Sequence, residues 1–360
     1  MKMNMPRIRV LVVEDSITVR RRLCDVLAGD AELEVVAEAE DGSQAIDLCR
    51  EFRPNVITMD MMMPVMTGLA ATEFIMAHFP TPILIVSSST NRGELFKTYE
   101  ALAAGAIDVL EKPTGNDDND WDRRFIATVK LISRIKTITH PRARLSGYSR
   151  AAAAFAPSPA ANQQPCRVVG IGASTGGPAA IVDVLKALPA DFPLPILLVL
   201  HIGQPFASAF AGWLDGQTAR PVAYARDGEA VATAAGKVIM APPDVHMEVS
   251  AGKLRLTSTP ERHFCRPSVD VLFESLAREY GAATTACLLT GMGRDGASGL
   301  LDIRRAGGLT LAQDEATSVV YGMPREAVLL GAAQRVLPIG DIGPVLASLS
   351  LLQSKERRTP

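Results

Sequence analysis

Three residues in the second half of the chain have side chains suited to acyl-bond hydrolysis, and each closes an apolar run. Ser174 follows "RVVGIGA", His201 follows "PLPILLVL", and Asp295 lies in "TTACLLTGMGRDG" just past its apolar stretch. A serine hydroxyl is a poor nucleophile until a neighbouring base takes its proton. That base in turn needs a third group to fix its tautomer and stabilise the imidazolium. Serine, histidine and aspartate at one edge of one sheet supply these parts, although neither their order nor the turn "GASTG" matches the G-x-S-x-G elbow of α/β-hydrolases. The turn has other readings. A dinucleotide site wants G-x-G-x-x-G with an acid about twenty positions on, and a phosphate-binding Walker loop wants G-K-[ST]. Neither pattern is present, and the turn's backbone N–H groups are free to face a developing oxyanion. Ser174 can also cap the helix that starts near Pro178, and His201 can be a buried, hydrogen-bonded histidine. His246 competes as the base, but "VHMEV" reads as a strand interior, while His78 and His140 are expected to face solvent.

A second constellation lies in the first half. Glu14 and Asp15 close "IRVLVVED", Asp60 closes "VITMD", Ser87 lies in "PILIVSSS" and Lys112 in "AIDVLEKP". Ligands of open parallel sheets bind outside the carboxyl ends of the strands. Carboxylates converging there repel one another, and a hard divalent cation such as Mg²⁺ relieves that repulsion. A lysine and a hydroxyl at the same edge suit an incoming phosphoryl group. Any one acid could merely cap the next helix; the conjunction of four strand ends points to a site.

These residues must be held by strands and crossover helices, and the sequence supplies them. Short apolar runs alternate with amphipathic stretches such as "ITVRRRLCDVLAG" over residues 7–137, and the alternation restarts at Cys166. Between them lies a stretch rich in Ala, Pro, Ser and Arg with little apolar periodicity. The expected fold class is therefore α/β with two parallel-sheet domains, at 7–137 and 166–355, joined by a linker at 138–165. A length of 360 residues at 48% apolar content is enough for two cores. The formal charge of -2 gives no general attraction to nucleic acid or an anionic membrane, and the chain lacks a basic C-terminal recognition helix. No apolar run reaches membrane-spanning length and the N-terminus reads as a first strand rather than a signal peptide, so a cytoplasmic protein with no membrane insertion is expected. The five cysteines, Cys24, Cys49, Cys166, Cys265 and Cys287, form no C-x-x-C pair, which disfavours a disulfide framework or structural zinc. Only Cys265 and His263 set a thiol close to an imidazole, and "ERHFCRP" lacks the strand-to-loop setting of the other candidates, so neither is expected to have a catalytic role.

The first half resembles response-regulator receiver domains of the doubly wound, flavodoxin-like class. The resemblance implies Asp60 as phosphoacceptor, Glu14 and Asp15 as Mg²⁺ carboxylates with the Met62 carbonyl, Ser87 as switch hydroxyl and Lys112 as phosphate partner, with a cis bond before Pro113. Three positions before the lysine, where that family often has an aromatic residue, this chain has Val109, so the aromatic rotamer switch is not carried over. The blocks "GIGASTGGP", "APPDVHMEV", "CRPSVDVLFESLA", "LLTGMGRDGASGL" and "AGGLTLAQDEATSVVYGMPREA" resemble the catalytic domain of chemotaxis protein-glutamate methylesterases, the CheB-type response regulators. That resemblance implies Ser174 as nucleophile, His201 as base, Asp295 as its orienter, and the Met292 N–H with Thr175 in the oxyanion hole. It further implies hydrolysis of γ-glutamyl methyl esters on chemoreceptors, deamidation of receptor glutamines, a chemotaxis histidine kinase as phosphodonor, and no cofactor in the esterase site. Two domains on a linker suggest control by docking, with the unphosphorylated receiver covering the Ser174 edge. The family usually has Gln before its histidine and Met-Pro after it; Leu200, Ile202 and Gly203 stand here, which bears on receptor preference. The competing reading is a phosphorylation-switched binding regulator whose second domain has lost turnover.

Overall fold

In the computed structural model, residues 6–88, 91–113, 118–135 and 165–356 are described, and the chain divides into two compact units, within Met1–Tyr148 and Ser149–Pro360. Apart from Pro165, the linker expected at 138–165 lies outside the described residues, as does His140.

In the first unit five strands, β1 (Ile8–Val13), β2 (Leu33–Ala39), β3 (Val56–Met59), β4 (Ile83–Ser87) and β5 (Asp108–Glu111), pair in the order β2-β1-β3-β4-β5, all parallel. Strands β3 and β4 are buried at every position, as expected of strands covered on both faces, and this is why they read as continuous apolar runs. The covering helices are α1 (Ile17–Ala28), α2 (Gly42–Phe52), α3 (Gly68–His78), α4 (Arg92–Ala103) and α5 (Asn119–Ile132). Several start on side-chain caps: Asp41 accepts from the Ser43 and Gln44 N–H groups, Asn91 from Glu94 and Asp118 from Trp121. The strand order reverses between β1 and β3, and Glu14 and Asp60 follow those two strands.

The second unit carries a seven-stranded parallel sheet in the order β14-β13-β12-β6-β7-β9-β8. Its strands are β6 (Val168–Ala173), β7 (Ile196–Leu200), β8 (Val222–Tyr224), β9 (Val238–Met240), β12 (Thr284–Leu288), β13 (Leu309–Gln313) and β14 (Arg335–Leu337); β10 (His246–Ser250) and β11 (Lys253–Thr257) form a separate antiparallel hairpin. The helices are α6 (Gly177–Lys186), α7 (Phe210–Asp215), α8 (Val269–Tyr280), α9 (Ala297–Arg305), α10 (Met323–Leu329) and α11 (Ile339–Glu356). The reversal of order falls at β6, between β12 and β7, so the segments after these three strands share one sheet edge. Two glycines of β6 face α8: a Cβ on Gly172 would lie 2.3 Å from Val269 Cγ1, and one on Gly170 2.9 Å from Leu276 Cδ1. These glycines serve close helix packing, not a phosphate.

Candidate functional site

Ala173 of β6 is paired with Leu200 of β7, so Ser174 and His201 leave neighbouring strands together, with the His201 N–H donating to the Ala173 carbonyl at 3.0 Å. On the other side the Ser174 N–H donates to the Thr290 carbonyl, just after β12, at 3.0 Å. Helix α6 begins at Gly177 with Gly176 as its N-cap at φ +76, and no side chain caps it. Ser174 is therefore not spent as a cap, and its hydroxyl has no hydrogen-bond partner among the described residues. Gly176 is required twice, by its left-handed backbone and because a Cβ would lie 2.5 Å from that of Val319.

His201 Nε2 donates to Asp295 Oδ2 at 2.9 Å. Asp295 is 2% exposed, and both of its oxygens are occupied: Oδ2 also accepts the Val269 N–H at 2.7 Å, while Oδ1 accepts the Ser268 hydroxyl at 2.7 Å and the Asp270 N–H at 3.1 Å. The carboxylate thus sits on the N-terminus of α8, where orphan N–H groups and the helix dipole favour negative charge. Burial pushes the Asp295 carboxyl up, but His201 and these donors hold it below the usual carboxylate range. For His201 burial works against the charged form, yet the hydrogen bonds and charge from Asp295 and Cys265 raise its pKa from 6.5 to about 9. With Nε2 committed to Asp295, Nδ1 is the ring nitrogen left to exchange a proton with another group.

Cys265, whose sequence context pointed to no catalytic role, lies with its Sγ 3.7 Å from His201 Nδ1. Its sequence neighbour His263 points elsewhere: His263 Nε2 donates to Asp270 Oδ2 at 3.1 Å and its Nδ1 accepts from Arg294. His246 opens β10, fully buried, accepts the Ser268 N–H on Nδ1 and donates from Nε2 to the Pro260 carbonyl. It supports the cap of α8 and is remote from the base role. Ser268, whose hydroxyl also accepts from the Val271 N–H, is a functional residue that sequence reasoning missed despite a readable signal: "PSVDV" places a serine cap before an acidic first turn.

Gly291 packs on Ser174, where a Cβ would lie 2.7 Å from the serine Cβ. The N–H groups of the next residue, Met292, and of Thr175 donate to no partner among the described residues, so both are available to an oxyanion. Met292 is 52% exposed. Beside His201, Leu200 is buried, Ile202 half-buried, and Gly203 exposed with open space where a side chain would begin.

In the first unit, Lys112 Nζ lies 2.9 Å from the Glu14 carboxylate and 3.1 Å from Asp60 Oδ2. Glu14 and Asp60 are buried, and the carboxylate oxygens of Glu14, Asp15 and Asp60 lie within 4.8 Å of one another, with Asp15 exposed. Burial and the neighbouring Asp60 raise the Glu14 pKa to about 7 against the pull of Lys112; burial likewise raises Asp60. Buried carboxylates under such strain, all oxygen donors, fit a hard divalent cation. Asp60 also accepts the Met61 N–H, and Met62 is partly exposed with its sulfur 3.5 Å from Lys97 Nζ. The Ser87 hydroxyl is buried with no hydrogen-bond partner among the described residues. The bond before Pro113 is trans, a departure from the expected cis form: among the described residues, cis bonds precede Pro205 and Pro267.

Comparison with known proteins covers both units. A "CheB methylesterase" family model matches residues 169–346 and a "Response regulator receiver domain" model matches residues 10–119. The chain is 45% identical over 347 residues to the protein-glutamate methylesterase/protein-glutamine glutaminase of Nitrosospira multiformis, covering 95% of this chain and 97% of that one. It is 44% identical over 344 residues to such a protein of Anaeromyxobacter dehalogenans, covering 95% and 97%. Among solved structures, the Thermotoga maritima CheB methylesterase catalytic domain is 37% identical, covering 51% of this chain and 98% of that one, with a TM-score of 0.49.

Proposed function

Since the chain belongs to the CheB methylesterase family, whose members join a receiver to a protein-glutamate methylesterase/protein-glutamine glutaminase domain, we propose that Ser174 is its nucleophile, His201 its base and Asp295 the orienter of that base. The observation that carries these assignments is the His201–Asp295 bond through Nε2, with Asp295 seated on α8, on a histidine that leaves β7 next to Ser174 at the end of β6.

Ser174 Oγ attacks the carbonyl carbon of a γ-glutamyl methyl ester on a chemoreceptor as its proton passes to His201 Nδ1. The N–H groups of Met292 and Thr175 take the oxyanion; losing one such donor typically costs about 3 kcal/mol of transition-state stabilisation. The tetrahedral intermediate expels the methoxy group, which leaves as methanol with the proton from His201. Water, deprotonated by the same imidazole, then hydrolyses the glutamyl-serine ester and returns the serine. With a receptor glutamine the leaving group is ammonia and the acyl-enzyme is the same. The raised pKa of His201 makes loss of its resting proton a prerequisite of the attack.

In the receiver unit Asp60 accepts a phosphoryl group from a chemotaxis histidine kinase, Lys112 pairs with the phosphoryl oxygens and the Ser87 hydroxyl, now unpartnered, donates to them. Glu14, Asp15, Asp60 and the Met62 carbonyl would hold Mg²⁺, which when bound neutralises charge on the transferring group. Phosphorylation at Asp60 raises hydrolysis at Ser174. The reaction belongs in the cytoplasm, on the signalling face of receptors; among the described residues no helix is long and apolar enough to cross a membrane. Methanol release from methylated receptor membranes tests the assignments: Ser174→Ala and His201→Ala should each abolish it, and undiminished release by either would overturn them.

A further inference from the structure

From the His201–Cys265 geometry we infer that this pair forms a reversible inhibitory site for a thiophilic divalent cation of the zinc class. His201, Cys265 and Asp295 offer donor atoms that lie within 4.8 Å of one another, but they do not play equal parts. Asp295 accepts hydrogen bonds on both oxygens and stays behind the imidazole, holding the Nε2 proton so that the nitrogen open to a cation, once its own proton is displaced, is Nδ1. Carboxylate behind imidazole is the arrangement that orients histidine ligands in metal sites. In front, Nδ1 and the Cys265 sulfur stand 3.7 Å apart. Two donors on a tetrahedral zinc, with bonds of about 2.05 Å to nitrogen and about 2.3 Å to sulfur, are separated by about 3.6 Å.

The sulfur is held there by the backbone. Arg262 and Cys265 exchange N–H···O bonds at 3.1 and 2.9 Å across a tight turn, and His263 and Phe264 within it both take positive φ. Three residues on, Ser268 begins the cradle of Asp295, so one short segment positions both the thiol and the carboxylate. His263 is excluded as a ligand because both of its ring nitrogens are engaged. Cys265 is half-buried, which leaves the remaining coordination positions to solvent. Binding releases to buffer the thiol proton and the proton that the resting imidazole carries on Nδ1, and the cation then occupies Nδ1, the atom that must take the serine proton. The kinetic consequence rests on the reading of His201 as base; binding does not.

Co²⁺ is the probe, added to the full-length protein in excess Mg²⁺ so that the receiver carboxylates are already satisfied. A thiolate-to-cobalt charge-transfer band should appear in the near ultraviolet, survive Cys24→Ser and vanish in Cys265→Ser and in His201→Ala. Absence of the band in the wild type, or its persistence in Cys265→Ser, overturns the site. In parallel, Zn²⁺ should half-inhibit methanol release by the wild type at a concentration at least about tenfold below that needed for Cys265→Ser; equal sensitivity overturns the inhibitory role. If the wild type releases no methanol without zinc, the esterase reading fails while the cobalt band still decides the site.

Discussion

Asp295→Asn changes one atom at the centre of the site, and the surrounding donors dictate the response. With its amide oxygen in the Oδ2 position, asparagine still accepts from His201 Nε2 and the Val269 N–H, and its NH₂ can donate to the Ser268 hydroxyl. Only the Asp270 N–H then faces another donor, a buried mismatch worth about 1–3 kcal/mol. The reverse orientation sets NH₂ against the Val269 N–H and forces the proton onto Nδ1, so the first orientation is preferred and the useful tautomer survives. What disappears is the negative charge. Burial of His201 is then opposed by Cys265 alone, and its pKa falls below about 9. Each pKa unit of that fall weakens the imidazole about tenfold, or about 1.4 kcal/mol. At pH 7 the loss is partly offset, since about 1% of the wild-type imidazole is neutral there against a larger share of the variant's. Above about pH 9 the wild type is fully active and the variant lags by about tenfold for each unit by which its pKa has fallen. Methanol release measured from about pH 6 to pH 10 reads this directly: in the wild type the rate climbs tenfold per pH unit up to a limb near 9, and in the variant the limb moves acidward and the plateau drops. A variant limb that stays near 9 would refute the claim that Asp295 sets the basicity of His201.

Three further outcomes are expected. Ser87→Ala removes a buried hydroxyl that has no partner among the described residues, so melting temperature should hold or rise while phosphorylation of the receiver by a small phosphodonor slows; a clear loss of stability would show that the hydroxyl is already satisfied. Gly172→Ala drives a Cβ to 2.3 Å from Val269 and displaces the start of α8 at a cost of about 1–3 kcal/mol, so esterase activity should fall while receiver phosphorylation is unchanged; full activity would break the link between β6 and the Asp295 cradle. Because Glu14 takes up a proton as the pH falls through about 7 and a cation binds its ionised form, Mg²⁺ affinity measured by calorimetry should level off above about pH 8 and weaken towards pH 6; affinity constant over that range would contradict a buried, proton-holding Glu14.

The parts of the fold and site that the sequence made legible share one physical cause. Ser174, His201, Glu14, Asp60, Ser87 and Lys112 all lie at carboxyl ends of apolar runs, and such runs are strands buried on both faces. The sheet edge therefore announced itself. What stayed hidden depends on contacts between distant segments. Cys265 and Ser268 reach His201 and Asp295 only because α8 crosses β6, a packing signalled by Gly170 and Gly172, whose spacing looks like phosphate chemistry when read alone. The N-cap alternative for Ser174 fails for a local reason: Gly176, able to adopt positive φ, starts the helix two residues later. The sequence neighbours Cys265 and His263 diverge because the turn between them sends the thiol to His201 and the imidazole to Asp270.

The central claim is that one chain hydrolyses receptor methyl esters at Ser174 under the control of Asp60. Methanol release from methylated chemoreceptor membranes by the wild type, Ser174→Ala and Asp60→Asn, each with and without a small phosphodonor and Mg²⁺, tests it most directly. The account predicts release that rises with phosphodonor in the wild type, persists without that rise in Asp60→Asn, and vanishes in Ser174→Ala. Release from Ser174→Ala equal to that of the wild type, or a phosphodonor response that survives in Asp60→Asn, would contradict it.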